Sequence, residues 1–132
     1  MVVSEPSETQ SRILLVEDDD AVRRSIQLLL HSHGFEVRAY PSAFDLAKDP
    51  AALRCACLVA DLVMPDTDAV QLLAELRKAG WAGRSILISG YLGSERDADV
   101  RAAGFDMVLA KPISDSVLVR AVAEVIGGPA AR

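Results

Sequence analysis

Two cysteines are all the chain has, and they stand close together, Cys55 and Cys57, in the stretch CACLVAD. Residues so near each other on a strand point past one another, which is poor disulfide geometry. No second Cys or His pair accompanies them to complete a metal site. Their expected role is that of small buried hydrophobes. No apolar run approaches the roughly 18 residues that a membrane helix needs, and MVVSEPSETQ lacks the charged-then-apolar order of a secretory signal. A cytoplasmic protein with no membrane association is expected. Basic charge is short as well: 14 Lys and Arg against 19 Asp and Glu leave a formal charge of −5. Phosphate contacts need a basic face, so no direct nucleic-acid binding by this chain is expected.

What is present is an ordinary globular composition, 132 residues of which 51% are hydrophobic and 25% charged. That fits one domain with a core of its own. Residues 1–11 are polar, carry Pro6 and show no period, so they are expected to form a disordered leader. The domain is expected over 12–126, with 127–132 as a flexible tail. Between these ends two kinds of segment alternate. ILLV (13–16), CLVA (57–60) and SILIS (85–89) are unbroken apolar runs, FEVRAY (35–40) is more amphipathic, and MVLA (107–110) is short. Runs of this kind suit strands buried on both faces of a parallel sheet. Helical spacing appears over 20–32, 68–79 and 114–126, and more weakly over 42–49 and 94–103. Gly80 is placed to stop the second of these helices and Ser114 to cap the third. Five strands alternating with five helices predict an α/β fold. The expected sheet is five-stranded, parallel, in the flavodoxin-like order 2-1-3-4-5, with helices on both faces.

In such a sheet ligands bind beyond the carboxyl ends of the strands. Glu17 and Asp18 follow the first strand, Asp61 the third, Ser89 the fourth and Lys111 the fifth. Those ends should converge into three carboxylates, a hydroxyl and an ammonium. Crowded carboxylates raise one another's pKa, and a hard dication relieves that cost. A carboxylate can also attack phosphorus, while a metal, an ammonium and a hydroxyl neutralise the phosphoryl oxygens. Taken singly, each residue has a plainer role. Asp18 or Asp19 could cap a helix, Ser89 could be a turn residue, and Lys111 a solvated loop lysine. Asp61 lies between CLVA and LVMP, an apolar setting with no local partner in the sequence.

With ILLVEDDD, DLVMPDTD, ILISG and LAKPIS in these places, the chain resembles a bacterial two-component response-regulator receiver domain of the CheY-like kind over residues 12 to about 126. The spacings agree: 43 residues from Asp18 to Asp61, 28 on to Ser89 and 22 on to Lys111. The resemblance implies Asp61 as phosphoacceptor, Asp18 as a direct and Glu17 as a water-mediated ligand of Mg2+, and the Val63 carbonyl as a further ligand. It implies that Ser89 hydrogen-bonds the phosphoryl group, that Lys111 pairs with it, and that the Lys111–Pro112 peptide is cis. It further implies a phosphodonor that is a histidine kinase or phosphotransfer protein, and an output partner that the sequence does not identify. A phosphorylation-dependent homodimer also falls within that pattern. Such a module is not an enzyme in the usual sense, since it promotes only its own aspartyl phosphorylation and dephosphorylation.

Three features depart from the pattern. The aromatic residue expected three before the lysine is Val108, which cannot swing a ring between exposed and buried states. Tyr91 is either its substitute or an aromatic covering the pocket rim. The usual Asp-Gly after the MP motif is Asp68-Ala69, and the acidic pair is Glu-Asp. Val63 and Tyr91 hold the positions that tune acyl-phosphate hydrolysis, and both exclude water, which implies slow decay. The alternative reading is a pseudo-receiver, a phosphate-independent interaction module, which only Val108 favours. A haloacid-dehalogenase-type phosphatase would need an aspartate where Val63 stands, and a flavin site would not tolerate EDDD after the first strand. No DNA-binding segment is read after residue 126. The chain is expected to be either a stand-alone module starting at Met1 or one separated from a larger regulator at the Gly-Pro linker.

Overall fold

In the computed structural model, residues 12–90 and 97–127 are described. The leader, Tyr91 and most of the tail lie outside them. The strands are β1 (Arg12–Val16), β2 (Glu36–Tyr40), β3 (Cys57–Asp61), β4 (Arg84–Ser89) and β5 (Met107–Ala110). The helices are α1 (Asp20–Ser32), α2 (Ala43–Ala47), α3 (Ala69–Lys78), α4 (Asp97–Ala103) and α5 (Asp115–Gly127). The five strands pair in parallel in the order β2-β1-β3-β4-β5.

Alternation along each strand sends side chains to two separate cores. Leu14, Val16, Leu58, Ala60 and Leu87 face α2, α3 and α4, where Leu46, Leu72, Leu73 and Val100 meet them. Ile13, Leu15, Cys57, Val59, Ile86 and Ile88 face α1 and α5, where Leu30, Leu118, Val122 and Val125 meet them. The inner strands β1, β3 and β4 are therefore hydrophobic without a break because both faces are covered. Each fully buried Leu or Ile contributes roughly 1.5–3 kcal/mol of transfer free energy. The edge strands are less buried: β2 alternates, as the amphipathic FEVRAY pattern predicts. In β5, Val108 and Ala110 are exposed while Met107 and Leu109 are half-buried, because only the α1/α5 side is packed there.

Local signals set the boundaries. Asp19, Ser42 and Asp68 cap α1, α2 and α3 through their side-chain oxygens. Ser114 Oγ accepts from Val117 N at the start of α5. Gly80 takes a φ of +99° just past α3, the left-handed position that glycine fills without cost. One element was not expected: the helix read over 42–49 stops at Ala47, and a 3-10 turn (Pro50–Arg54) follows, capped by Asp49. Pro50 breaks the α-helical ladder and starts the tighter one. Asp49 also accepts from the Tyr40 hydroxyl at 2.6 Å and pairs with Arg38, which commits the end of β2 to structure rather than chemistry. Trp81 is 2% exposed, with its indole N–H on Cys55 O at 2.8 Å. No helix among the described residues is long and apolar enough to cross a membrane.

Both cysteines are buried and free. Burial pushes the Cys55 thiol up to about 11 and the Cys57 thiol up to about 12. The thiolate is the reactive form, so neither should react with an aromatic disulfide reagent near pH 8 while the chain is folded. Both should react promptly in denaturant. Fast labelling of the native chain would contradict this packing.

Candidate functional site

The run Glu17-Asp18-Asp19-Asp20 leaves β1 as a turn whose four carboxylates go four ways. Glu17 N extends the β1–β2 ladder by donating to Tyr40 O at 3.1 Å. Its carboxylate folds back to accept from Asp19 N at 3.0 Å. Asp19 Oδ1 accepts from Val22 N and caps α1, so the helix-cap role belongs to Asp19. Asp20 pairs with Arg23 at 2.7 Å. Asp18 lies on the wall of an open cavity of about 580 Å³, together with Asp61, Val63, Gly90 and Lys111.

Asp61 ends β3, and its side chain is only 13% exposed. Leu62 N donates to Ile88 O, so β3 and β4 hold together one residue past the strand. Asp61 Oδ1 accepts from Val63 N at 3.2 Å, and Oδ2 accepts from the Lys111 ammonium. Val63 is bridged to Asp68 and Met64 N donates to Thr67 O, which closes the β3–α3 loop on itself. Lys111 follows β5, one strand beyond β4, so its side chain must cross the end of β4 to reach Asp61. It does so beside Gly90: a β-carbon there would lie 4.0 Å from both Cβ and Cδ of Lys111. Lys111 N donates to Ser89 O at 3.0 Å, which brings the buried Ser89 alongside the lysine. The Lys111–Pro112 peptide is cis, as expected.

Asp18, Asp61, Val63 and Lys111 thus share one cavity, and Ser89 lies at its edge next to Gly90. Glu17, expected to act through water, interacts electrostatically with Asp61, Asp18 and Lys111. It lines a neighbouring cavity of about 730 Å³ between α1 and the segment after β5, with Lys111 on the common wall. Among the described residues no three acidic, His or Cys side chains come close enough to hold a metal alone. One oxygen of the Glu17 carboxylate is engaged by the Asp19 N–H. The donors facing the first cavity are nonetheless all oxygen. The two carboxylates there, Asp18 and Asp61, suit magnesium, which commonly binds one or two carboxylates and keeps several waters.

The electrostatics agree only partly with simple crowding. Glu17 is raised above the usual carboxylate range chiefly by burial, with the Asp61 and Asp18 charges adding to it and the Asp19 N–H and Lys111 opposing it. Lys111 is raised above the usual lysine value, mainly by its hydrogen bond to Asp61, with help from the Asp61, Glu17 and Asp18 charges. Val108 sits exposed on β5, and Tyr91 lies outside the described residues. One link carried no sequence signal: Asp66 Oδ2 accepts from Phe44 N at 2.8 Å and ties the β3–α3 loop to the first turn of α2.

Residues 13–123 match the model of the response regulator receiver domain. The chain is 31% identical over 113 residues to the transcriptional regulatory protein FixJ of Azorhizobium caulinodans, covering 86% of this chain and 54% of that protein. FixJ of Rhizobium meliloti is likewise 31% identical, over 86% of this chain and 56% of its own length. The chain therefore spans about half the length of these curated relatives. The crystal structure of a CheY-like response regulator receiver domain protein from Methanospirillum hungatei JF-1 superposes with a TM-score of 0.78. It is 28% identical and is covered over 88% of this chain and 93% of that one.

The Lys111–Asp61 contact can be checked directly. In Asp61→Asn the ammonium loses the main cause of its raised pKa, while burial still favours the neutral amine. The Lys111 pKa, followed by side-chain NMR, should fall toward or below the ordinary lysine value. The contact's stabilisation is fully present below the unfolded-state pKa of about 10.4. It should be lost as pH rises through the higher folded value. An unchanged pKa in the variant would rule the contact out.

Proposed function

The chain belongs to the response regulator receiver domain family of two-component systems, and from that premise we propose that it accepts a phosphoryl group on Asp61 from a histidine kinase or phosphotransfer protein. The observation that carries the reading is the setting of Asp61. It is a little-exposed carboxylate with one oxygen on Lys111 and the other on Val63 N, and it opens onto the same cavity as Asp18.

An Asp61 oxygen attacks the phosphorus of a phosphoimidazole, and the new O–P bond forms as the P–N bond breaks. The electron pair of the broken bond stays on the imidazole nitrogen, which takes up a proton. Lys111, already at the Asp61 oxygen, is placed to follow the negative charge onto the phosphoryl oxygens. Ser89, in backbone contact with Lys111, is the nearby hydroxyl that can donate to one of them. Asp18, Asp61 and the Val63 carbonyl would hold magnesium, which supplies charge neutralisation for the phosphoryl oxygens. Glu17, turned toward the neighbouring cavity, would act through water. The product carries roughly −1.5 to −2 charges where one carboxylate charge stood. That change would bias a two-state arrangement and so alter affinity for an output partner, a second copy of the chain among the options. The role is that of a cytoplasmic signalling domain rather than of an enzyme turning over an external substrate.

Acetyl phosphate with magnesium should add one phosphoryl group to the chain by intact mass, and Asp61→Asn should abolish the addition. A phosphoryl group retained in that variant would sink the assignment. Val63 is an exposed apolar side chain on the cavity wall next to Asp61 and leaves little polar surface to orient an attacking water. The phosphorylated chain should accordingly persist for minutes or longer in magnesium. A lifetime of seconds would show that water reaches the acyl phosphate freely.

A further inference from the structure

The cation reading leaves one strong group without a role. Arg23 lies one turn into α1 with its side chain only 21% exposed. Its Nη1 donates to the main-chain carbonyl of Glu17 at 2.9 Å, and its Nη2 to Asp20 Oδ1 at 2.7 Å. The Asp20 carboxylate is 89% exposed, so that pair alone is worth little. The bond to the carbonyl is different, because it fixes the peptide unit joining Glu17 to Asp18. The plane of that unit sets the direction in which the Asp18 side chain leaves the backbone. Four adjacent carboxylates repel one another, and a turn that carries them needs such a restraint to present one of them in a chosen direction.

We propose that Arg23 is a positioning residue that clamps the acidic turn so that Asp18 faces Asp61 across the cation cavity. The inference rests on Asp18 and Asp61 being the cation's carboxylates. It predicts the opposite sign from plain electrostatics. Arg23 is a positive charge near a dication site, and removing it would by Coulomb's law tighten magnesium binding. Removing it would also free the Asp20 carboxylate, which acts in the same direction. A clamp predicts weaker binding despite both effects. The fork geometry matters too, since guanidinium can serve the carbonyl and the carboxylate together, whereas a lysine ammonium is a compact point charge.

The test is a magnesium titration of the full chain, read from the backbone amide shifts of Val63 and Gly90, with thermal melting alongside. Arg23→Ala should raise the half-saturating magnesium concentration about tenfold, the order expected for one charge-assisted hydrogen bond. Arg23→Lys keeps the charge and should fall between Arg23→Ala and the unaltered chain. If Arg23→Ala does not fold, the lysine variant decides. Unchanged or tighter binding in a folded variant overturns the clamp. Asp18→Asn separates the two layers of the argument. If Asp18→Asn weakens magnesium binding and the Arg23 variants do not, only the clamp fails. If Asp18→Asn has no effect, the cation reading beneath it fails.

Discussion

The ion pair between Lys111 and Asp61 is the contact on which the site depends, and it exists only because of strand order. Asp61 ends β3 and Lys111 follows β5, with β4 between them. The lysine stem spans that intervening strand beside Gly90, and its amide is tied to Ser89 O. A different order would leave Asp61 as a shielded carboxylate without a cation, which is costly in a little-exposed position. The apolar pattern of the inner strands, the two cores they build and the placement of the charged residues therefore form one constraint.

A single lysine does not balance the strand ends. Glu17, Asp18 and Asp61 carry three formal negative charges near neutral pH, and Lys111 supplies one positive charge. The remainder of two equals the charge of the dication proposed for this cavity. The Glu17 carboxylate belongs to this charge cluster. One of its oxygens turns back to the Asp19 N–H, yet its raised pKa still registers the Asp61 and Asp18 charges. Local hydrogen bonding thus orients the Glu17, Asp19 and Asp20 carboxylates, while Asp18 lines the cavity with Asp61.

Much of this was legible in the sequence, for identifiable reasons. Buried parallel strands leave uninterrupted runs such as CLVA and SILIS, and the residues just past such runs fall at one sheet edge by topology alone. That suffices to bring Asp18, Asp61 and Lys111 together. What could not be read depends on contacts between distant segments or on competition within a turn. The exposed face of β5 follows from its being an edge strand, which MVLA does not reveal. The Asp66–Phe44 link spans 22 residues and leaves no periodic trace. The division of labour within EDDD is set by three hydrogen bonds that a run of identical charges cannot signal. The Trp81 indole N–H closes on a carbonyl 26 positions earlier, a contact with no local signal.

The valine at position 108 bears on how a charge at Asp61 could be felt elsewhere. Phosphorylation would add charge at a carboxylate already bonded to Lys111 and to Val63 N, so both partners must adjust. Lys111 directly follows β5, and Val63 leads into the loop that Asp66 fastens to α2. Val108 is a stiff β-branched residue on the exposed face of β5 and offers no ring to trade burial for exposure. The Val63 side is differently built. Its loop is closed by the Val63–Asp68 bridge and fastened at Asp66, so displacement of one end bears on α2 through hydrogen bonds rather than through a free side chain. In this chain the β3–α3 loop is thus joined to α2 by hydrogen bonds, and Val108 lies on the exposed face of an edge strand.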